Sequence, residues 1–84
     1  MKLKKLLKDL DWGTDVRIWG QQENGKWVTV YEGWMRKVPK KYLDYKLIKA
    51  NDNKGSEAIC PCIDDKGQAI LRITLAGTDK NPPV

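Results

Sequence analysis

Residues 14–31, TDVRIWGQQENGKWVTVY, contain two alternating runs of apolar and polar residues around a turn sequence. In the first run, β-branched residues alternate with Arg17 and Trp19, and residues 26–31 repeat this period of two. Side chains alternate between the faces of a strand, and the Glu-Asn-Gly sequence at residues 23–25 is typical of a hairpin turn. Residues 14–31 therefore predict an antiparallel hairpin. The side chains expected to face the core are Val16, Ile18, Val28 and Val30, and those expected on the opposite face are Trp27, Thr29 and Tyr31.

Four leucines on the N-terminal side of this hairpin have helical spacing. They are Leu3, Leu6, Leu7 and Leu10, and this spacing places them on one stripe of a helix. An isolated helix of about ten residues is marginal in water. We therefore expect the leucines to dock on the sheet and the helix to end near residues 11–13.

The C-terminal side of the hairpin predicts a short helix and further strands. Proline suits the first turn of a helix because it lacks an N–H group, so Pro39 predicts a short helix over residues 39–45, anchored by Leu43. Strands are expected at residues 46–51, 57–63 and 68–75, with turns at residues 51–55 and 64–67. The predicted fold is α+β: an N-terminal helix on a mostly antiparallel sheet of about five short strands, with the short helix between strands 2 and 3.

The chain has 84 residues and a mass of 9.6 kDa, which suits one domain. We expect a single α+β domain over residues 1–75 and a flexible tail over residues 76–84, where glycine and proline are frequent. No apolar run approaches the ~20 residues that cross a bilayer, and charges interrupt the first ten residues, unlike a secretory signal. These features predict a cytoplasmic protein that does not enter a membrane.

The formal net charge is +5, and the basic residues form two blocks. The first contains Lys2, Lys4, Lys5 and Lys8, and the second contains Arg36, Lys37, Lys40, Lys41, Lys46 and Lys49. If the fold joins the two blocks, they form a patch that suits phosphates or an acidic protein surface. The alternative is a lysine-rich solvated surface that keeps a small domain in solution.

Aromatic residues are the second candidate for a binding function, since the chain has four tryptophans, three tyrosines and no phenylalanine. Trp12 and Trp34 are expected to fill the core. Trp19 and Trp27 fall opposite the valine face, and beside Arg17 they would form a contact site for a partner. The predicted partner-binding residues are Arg17, Trp19, Trp27, Tyr31, Arg36, Lys37, Lys40 and Lys41.

Histidine is absent, which removes the commonest general base and the usual zinc ligand. Cys60, Cys62 and Asp64 share one face of a predicted strand and form a candidate zinc site; core cysteines and a turn-forming aspartate are the alternative. We expect no catalysis and no cofactor, with zinc as the sole candidate.

Several segments resemble a pattern found in small proteins of phages and integrated elements of Gram-positive bacteria. They are residues 1–7, MKLKKLL; residues 11–15, DWGTD; residues 23–26, ENGK; residues 31–33, YEG; and residues 38–44, VPKKYLD. The likeness covers about residues 1–50 and implies the order helix, hairpin, short helix, strand. Such proteins are similar in size and gene context to the anti-CRISPR proteins that inhibit type II effector nucleases.

The resemblance implies a phage or mobile-element protein that binds a guide-loaded CRISPR nuclease in the bacterial cytoplasm and blocks it without catalysis. A basic chain would dock on an acidic protein surface or on the guide RNA more readily than mimic DNA. The alternative hypothesis is a basic nucleic-acid-binding module. In that module lysines would contact phosphates while Trp19, Trp27 or Tyr31 stack on bases.

Overall fold

The structure is a computed structural model that describes residues 1–48 and 58–84. Its helix and strands are α1 (Leu3–Asp9), β1 (Asp15–Gln21), β2 (Trp27–Trp34), β3 (Ile59–Ile63) and β4 (Ala69–Thr74). Two 3₁₀ turns, Met35–Lys37 and Lys40–Tyr42, follow β2. Of the helices in these residues, none has the length and apolar character needed to cross a membrane.

The four strands form one mixed sheet in the order β2-β1-β4-β3. The pairs β1–β2 and β3–β4 are antiparallel hairpins, and the central pair β1–β4 is parallel. The α+β class and the N-terminal helix on a sheet are confirmed. The described residues hold four strands where about five were expected, and the central pair makes the sheet mixed.

The third predicted strand is only partly covered by the described residues. Lys46 and Leu47 form isolated bridges, to Lys2 and to Leu75, while residues 49–51 and the predicted turn at 51–55 lie outside the described residues. A bridge at one residue satisfies one backbone pair without extending into a ladder. Residues 46–48 therefore tie the helix start to the end of β4.

Two 3₁₀ turns replace the short helix expected between strands 2 and 3. Pro39 immediately precedes the second turn, where its missing N–H is harmless. The expected anchor was Leu43, which is half-buried; the buried side chain of this turn is Tyr42, at 7% exposure. A 3₁₀ turn shifts side chains relative to an α-helix, so the aromatic residue points inward instead.

The core lies between the sheet and the leucine stripe of α1. Leu3, Val16, Ile18 and Ile73 are fully buried, and Leu6 and Leu7 are nearly so; they pack in one cluster. Fully burying such a side chain contributes about 1.5–3 kcal/mol. The helix ends at Asp9, short of the expected residues 11–13, because Leu10 turns to extended backbone and packs on the core edge.

A β-bulge changes which side chains of β2 face the core. The register between β1 and β2 shifts after Ile18, which pairs with Tyr31, while Trp19 pairs with Thr29. A bulge adds one residue to one strand and resets its alternation. As a result Tyr31, expected opposite the valines, packs against the core together with Val30.

The segment predicted as a flexible tail, residues 76–84, is packed on the domain in the structure. Asn81 is buried at 7% exposure and makes three side-chain hydrogen bonds. The Val84 N–H donates to the Gln21 carbonyl at 3.0 Å, and the Val84 side chain fills the space beside Gly20. Polar composition suggested fraying, but these hydrogen bonds give the segment a defined position.

Candidate functional site

The fold brings the first basic block next to the part of the second block that the structure describes; Lys49 lies outside the described residues. The N–H groups of Leu3 and Lys4 donate to the carbonyls of Tyr45 and Leu43, both at 2.9 Å. The first N–H groups of a helix have no partner inside the helix, so this segment supplies the missing acceptors. The helix start is thereby held beside the segment with the 3₁₀ turns, which carry Arg36, Lys37, Lys40 and Lys41 of the second basic block.

A groove of about 390 Å³ runs between α1 and the 3₁₀ turns. Its lining residues are Lys4, Leu7, Lys8, Met35, Arg36, Val38, Lys40 and Leu43. The apolar members form its floor; Leu7, Met35 and Val38 belong to the buried core cluster. We call this feature the basic groove, since each of its four charged lining residues is a cation.

Ion pairs neutralise only part of the positive charge of the basic groove. The Lys4 ammonium lies 3.0 Å from the Asp44 carboxylate, and Lys2 lies 3.9 Å from it. The hydrogen bond from Lys4, with the charges of both lysines, lowers the pKa of Asp44. Within residues 1–48 and 58–84, Lys8, Arg36 and Lys40 form no ion pair, so they are open to an external anion.

An exposed tryptophan, Trp12, contacts one of the residues that line the basic groove. Trp12 is 63% exposed, and the Arg36 guanidinium is 4.8 Å from its ring centroid. Trp34 packs edge-on against Trp12 with ring centroids 5.4 Å apart, and its indole N–H donates to the Trp12 carbonyl. Arg36 therefore connects the groove to a preset indole surface.

The expectation that Trp12 fills the core is wrong. The residue lies in the turn between α1 and β1, where the backbone leaves the core before the sheet begins. Its position outside both apolar periodicities was the available signal in the sequence. Trp34, also expected in the core, is half-buried and packs against the core cluster.

Arg17, Trp19 and Trp27 lie on the opposite face of the sheet from the core, as the alternation predicted. Arg17 pairs with Glu32, whose hydrogen bond raises the pKa of the guanidinium. Trp19 is half-buried and faces Thr29 across the strands, so the two tryptophans are diagonal neighbours and not a direct pair. This face and the basic groove are separate surfaces.

Trp19 has a charged neighbour on β4. The Arg72 guanidinium lies 5.5 Å from the Trp19 ring centroid. The indole Nε1 of Trp19 and the Nε of Arg72 are both buried, and neither has a hydrogen-bond partner among the described residues. The ring is therefore partly covered by its own neighbour, which reduces its availability for stacking on a ligand.

Tyr31 joins neither surface. Its hydroxyl donates to the Trp34 carbonyl at 2.6 Å, and burial raises the pKa of the phenol. The bulge in β2 turns this side chain toward the core, and its role in partner contact stays a prediction.

The remaining predicted contact residues lie along the 3₁₀ turns. Arg36 and Lys40 line the basic groove. Lys37 and Lys41 are exposed beside it, and the Lys41 ammonium lies 5.0 Å from the Tyr42 ring centroid. Sequence reasoning omitted Lys4 and Lys8 from the site, although their spacing of four residues places them on one side of a helix.

The candidate zinc ligands are not assembled into a metal site. Cys60 and Cys62 are free, half-buried thiols on β3, paired with Arg72 and Ile70 of β4. The Asp64 Oδ1 atom accepts the N–H groups of Lys66 and Gln68, both at 2.9 Å, so Asp64 forms the β3–β4 turn. In the part of the chain that the structure describes, no three His, Cys, Asp or Glu side chains are placed to hold a metal ion.

No protein-family model, curated protein or solved structure matches this chain.

Proposed function

We propose that this chain is a non-catalytic binding protein that acts by occupying an anionic surface of a partner macromolecule with its basic groove. The observation that carries the proposal is the convergence of Lys8, Arg36 and Lys40, none ion-paired in the described residues, on one groove. Cations from two separated segments create a local potential that attracts and orients an anionic partner.

The rigid placement of the groove supports this proposal. Its walls are α1 and the 3₁₀ turns, which backbone hydrogen bonds hold together, and its floor belongs to the core cluster. A preset surface loses little conformational entropy when it binds. The contacts of the cations and of Trp12 would therefore contribute to affinity with little of their free energy offset by the cost of ordering the surface.

The partner that the sequence resemblance favours is a guide-loaded type II CRISPR nuclease, inhibited by stoichiometric occupation. The test combines the purified chain with that complex and measures co-elution and target cleavage. We expect co-elution and a loss of cleavage that saturates near one chain per complex. The absence of both would remove this partner.

A pair of double variants tests the role of the groove. Arg36→Glu with Lys40→Glu reverses two cations of the groove, whereas Lys26→Glu with Lys66→Glu makes the same change in charge at two exposed hairpin turns. We expect only the first double variant to lose partner binding. An equal loss in both would show that net charge is sufficient and would contradict the proposal.

A nucleic-acid partner is the second candidate, and it is favoured by Trp12 beside Arg36. Trp12 is 63% exposed, so the part of its indole that Arg36 does not cover can stack on a base while the cation meets a phosphate. This candidate predicts tryptophan quenching by an oligonucleotide and an affinity that falls steeply with salt. Trp19 and Trp27, two of the expected stacking residues, lie on the opposite face of the sheet, which weakens this candidate.

A further inference from the structure

The floor of the basic groove is apolar, and this limits the kinds of molecule that would bind there favourably. A phosphate backbone needs cations and polar donors, and it gains little from an apolar floor. A protein segment that carries carboxylates beside apolar side chains matches both parts of the groove. Extending the function proposed above, we propose that the groove receives an acidic amphipathic segment of a partner protein.

The arrangement of the cations fits such a segment. Lys4 and Lys8 lie one helical turn apart on α1, at a rise of about 6 Å, while Arg36 and Lys40 come from the other wall. Carboxylates on both flanks of an inserted segment would meet cations on both walls. Its apolar side chains would enter between them and contact Leu7, Met35, Val38 and Leu43.

Asp44 contributes to this specificity by pairing with one of the four cations of the groove. Its carboxylate already lies 3.0 Å from the Lys4 ammonium, so the free cations are concentrated at Lys8, Arg36 and Lys40. An incoming carboxylate that pairs with these three residues does not displace an existing ion pair. The carboxylates of the segment would therefore pair mainly with Lys8, Arg36 and Lys40.

Trp12 supplies an anchor beside Arg36. The residue is 63% exposed, yet its ring packs against both Trp34 and Arg36. Tryptophan and arginine are the residue types most enriched at the energetic centre of protein interfaces. A segment that follows the groove past Arg36 would cover the indole.

The test uses a fluorescent peptide of about 15 residues with leucines at helical spacing and glutamates elsewhere. Two control peptides replace every glutamate by glutamine or every leucine by serine. A single-stranded oligonucleotide of equal charge is the fourth probe. Fluorescence polarisation measures the affinity of each probe for the full chain, for Arg36→Glu with Lys40→Glu, for Trp12→Ala and for Lys26→Glu with Lys66→Glu.

We expect the glutamate–leucine peptide to bind the native chain and each control peptide to bind at least about tenfold more weakly. The groove double variant and Trp12→Ala should each weaken binding by about tenfold or more, and the hairpin-turn double variant should not. The neutral pair Arg36→Gln with Lys40→Gln should give a smaller loss than charge reversal. Circular dichroism verifies that every variant is folded.

The outcomes separate this inference from the proposed function. If the serine-substituted peptide binds as tightly as the glutamate–leucine peptide, the apolar floor does not contribute to recognition, and the inference is overturned. Tighter, groove-dependent binding of the oligonucleotide would also overturn it while leaving the function of the groove intact. If neither the peptide nor the oligonucleotide depends on Arg36 and Lys40, both proposals fall.

Discussion

The side-chain amide of Asn81 forms two hydrogen bonds to the backbone of Lys46. Asn81 Oδ1 accepts the Lys46 N–H at 2.8 Å, and Asn81 Nδ2 donates to the Lys46 carbonyl at 2.9 Å. The same Nδ2 donates to the Ala76 carbonyl at 2.9 Å. One amide thus joins the C-terminal segment to the segment that pairs with the start of α1.

Replacing Asn81 with alanine should destabilise the domain by about 1–3 kcal/mol, because partly buried backbone groups lose their partner. The measurement is the free energy of unfolding in urea. Lys80→Ala is the matched control, since this neighbour is exposed, and it should have little effect. Equal unfolding midpoints for Asn81→Ala and the native chain would mean that the segment does not stabilise the fold.

Gly33→Ala should cost about 1–3 kcal/mol, because the backbone there has a φ of 145°, which side chains rarely adopt. A Cβ at this position would also lie 3.2 Å from the Tyr31 hydroxyl oxygen. Thermal or urea unfolding measures the loss. The control is Gly13→Ala, where a Cβ meets no atom within 4 Å; a loss as large as at Gly33 would contradict this explanation.

Asp44 should titrate below the ordinary range of an aspartate, because Lys4 and Lys2 favour its charged form. A folded-state pKa below the unfolded value means that the pair stabilises the fold at neutral pH. That contribution is lost as the pH falls through the lowered pKa. Carboxyl NMR titration measures it, and Lys4→Gln should raise the pKa of Asp44. An unchanged pKa in this variant would contradict the assigned cause.

Trp12→Phe should shift the tryptophan emission maximum to shorter wavelength, because Trp12 is the most exposed indole, at 63% against 38% for Trp27. The same substitution should change stability by less than about 1 kcal/mol. Trp34→Ala should cost more, since Trp34 packs against the core cluster. Emission spectra and urea unfolding of both variants provide the measurement, and a red shift in Trp12→Phe would contradict the exposure of this ring.

The secondary structure was predictable where one periodicity dominated. The leucine stripe predicted α1, and the alternation of Val16 and Ile18 predicted which face of β1 is buried. The turn at residues 64–67 followed from its Asp and Gly residues, and Asp64 does cap it. These features depend on neighbours within a few positions of the chain, which is the range that a sequence pattern describes.

The bulge in β2 opposite Ile18 and Trp19, the exposure of Trp12 and the parallel pairing of β1 with β4 were not predictable in this way. Each depends on which segment, distant along the chain, packs against it in the folded domain. The parallel pair joins residues more than 50 positions apart in the chain, such as Val16 and Leu71, and no local pattern encodes that choice.

The candidate site also has features that the sequence predicted and features that it did not. Its charge was present in the sequence as two basic blocks, and the sequence alone determined that both exist and that α1 carries Lys4 and Lys8 at a spacing of one turn. Only the tertiary structure decided that α1 lies against the 3₁₀ turns, which joins the blocks over an apolar floor and separates them from Trp19 and Trp27. The physical reason is that the docked helix must bury its leucines and find acceptors for its first N–H groups. Those acceptors are the carbonyls of Leu43 and Tyr45, some 40 positions away in the chain.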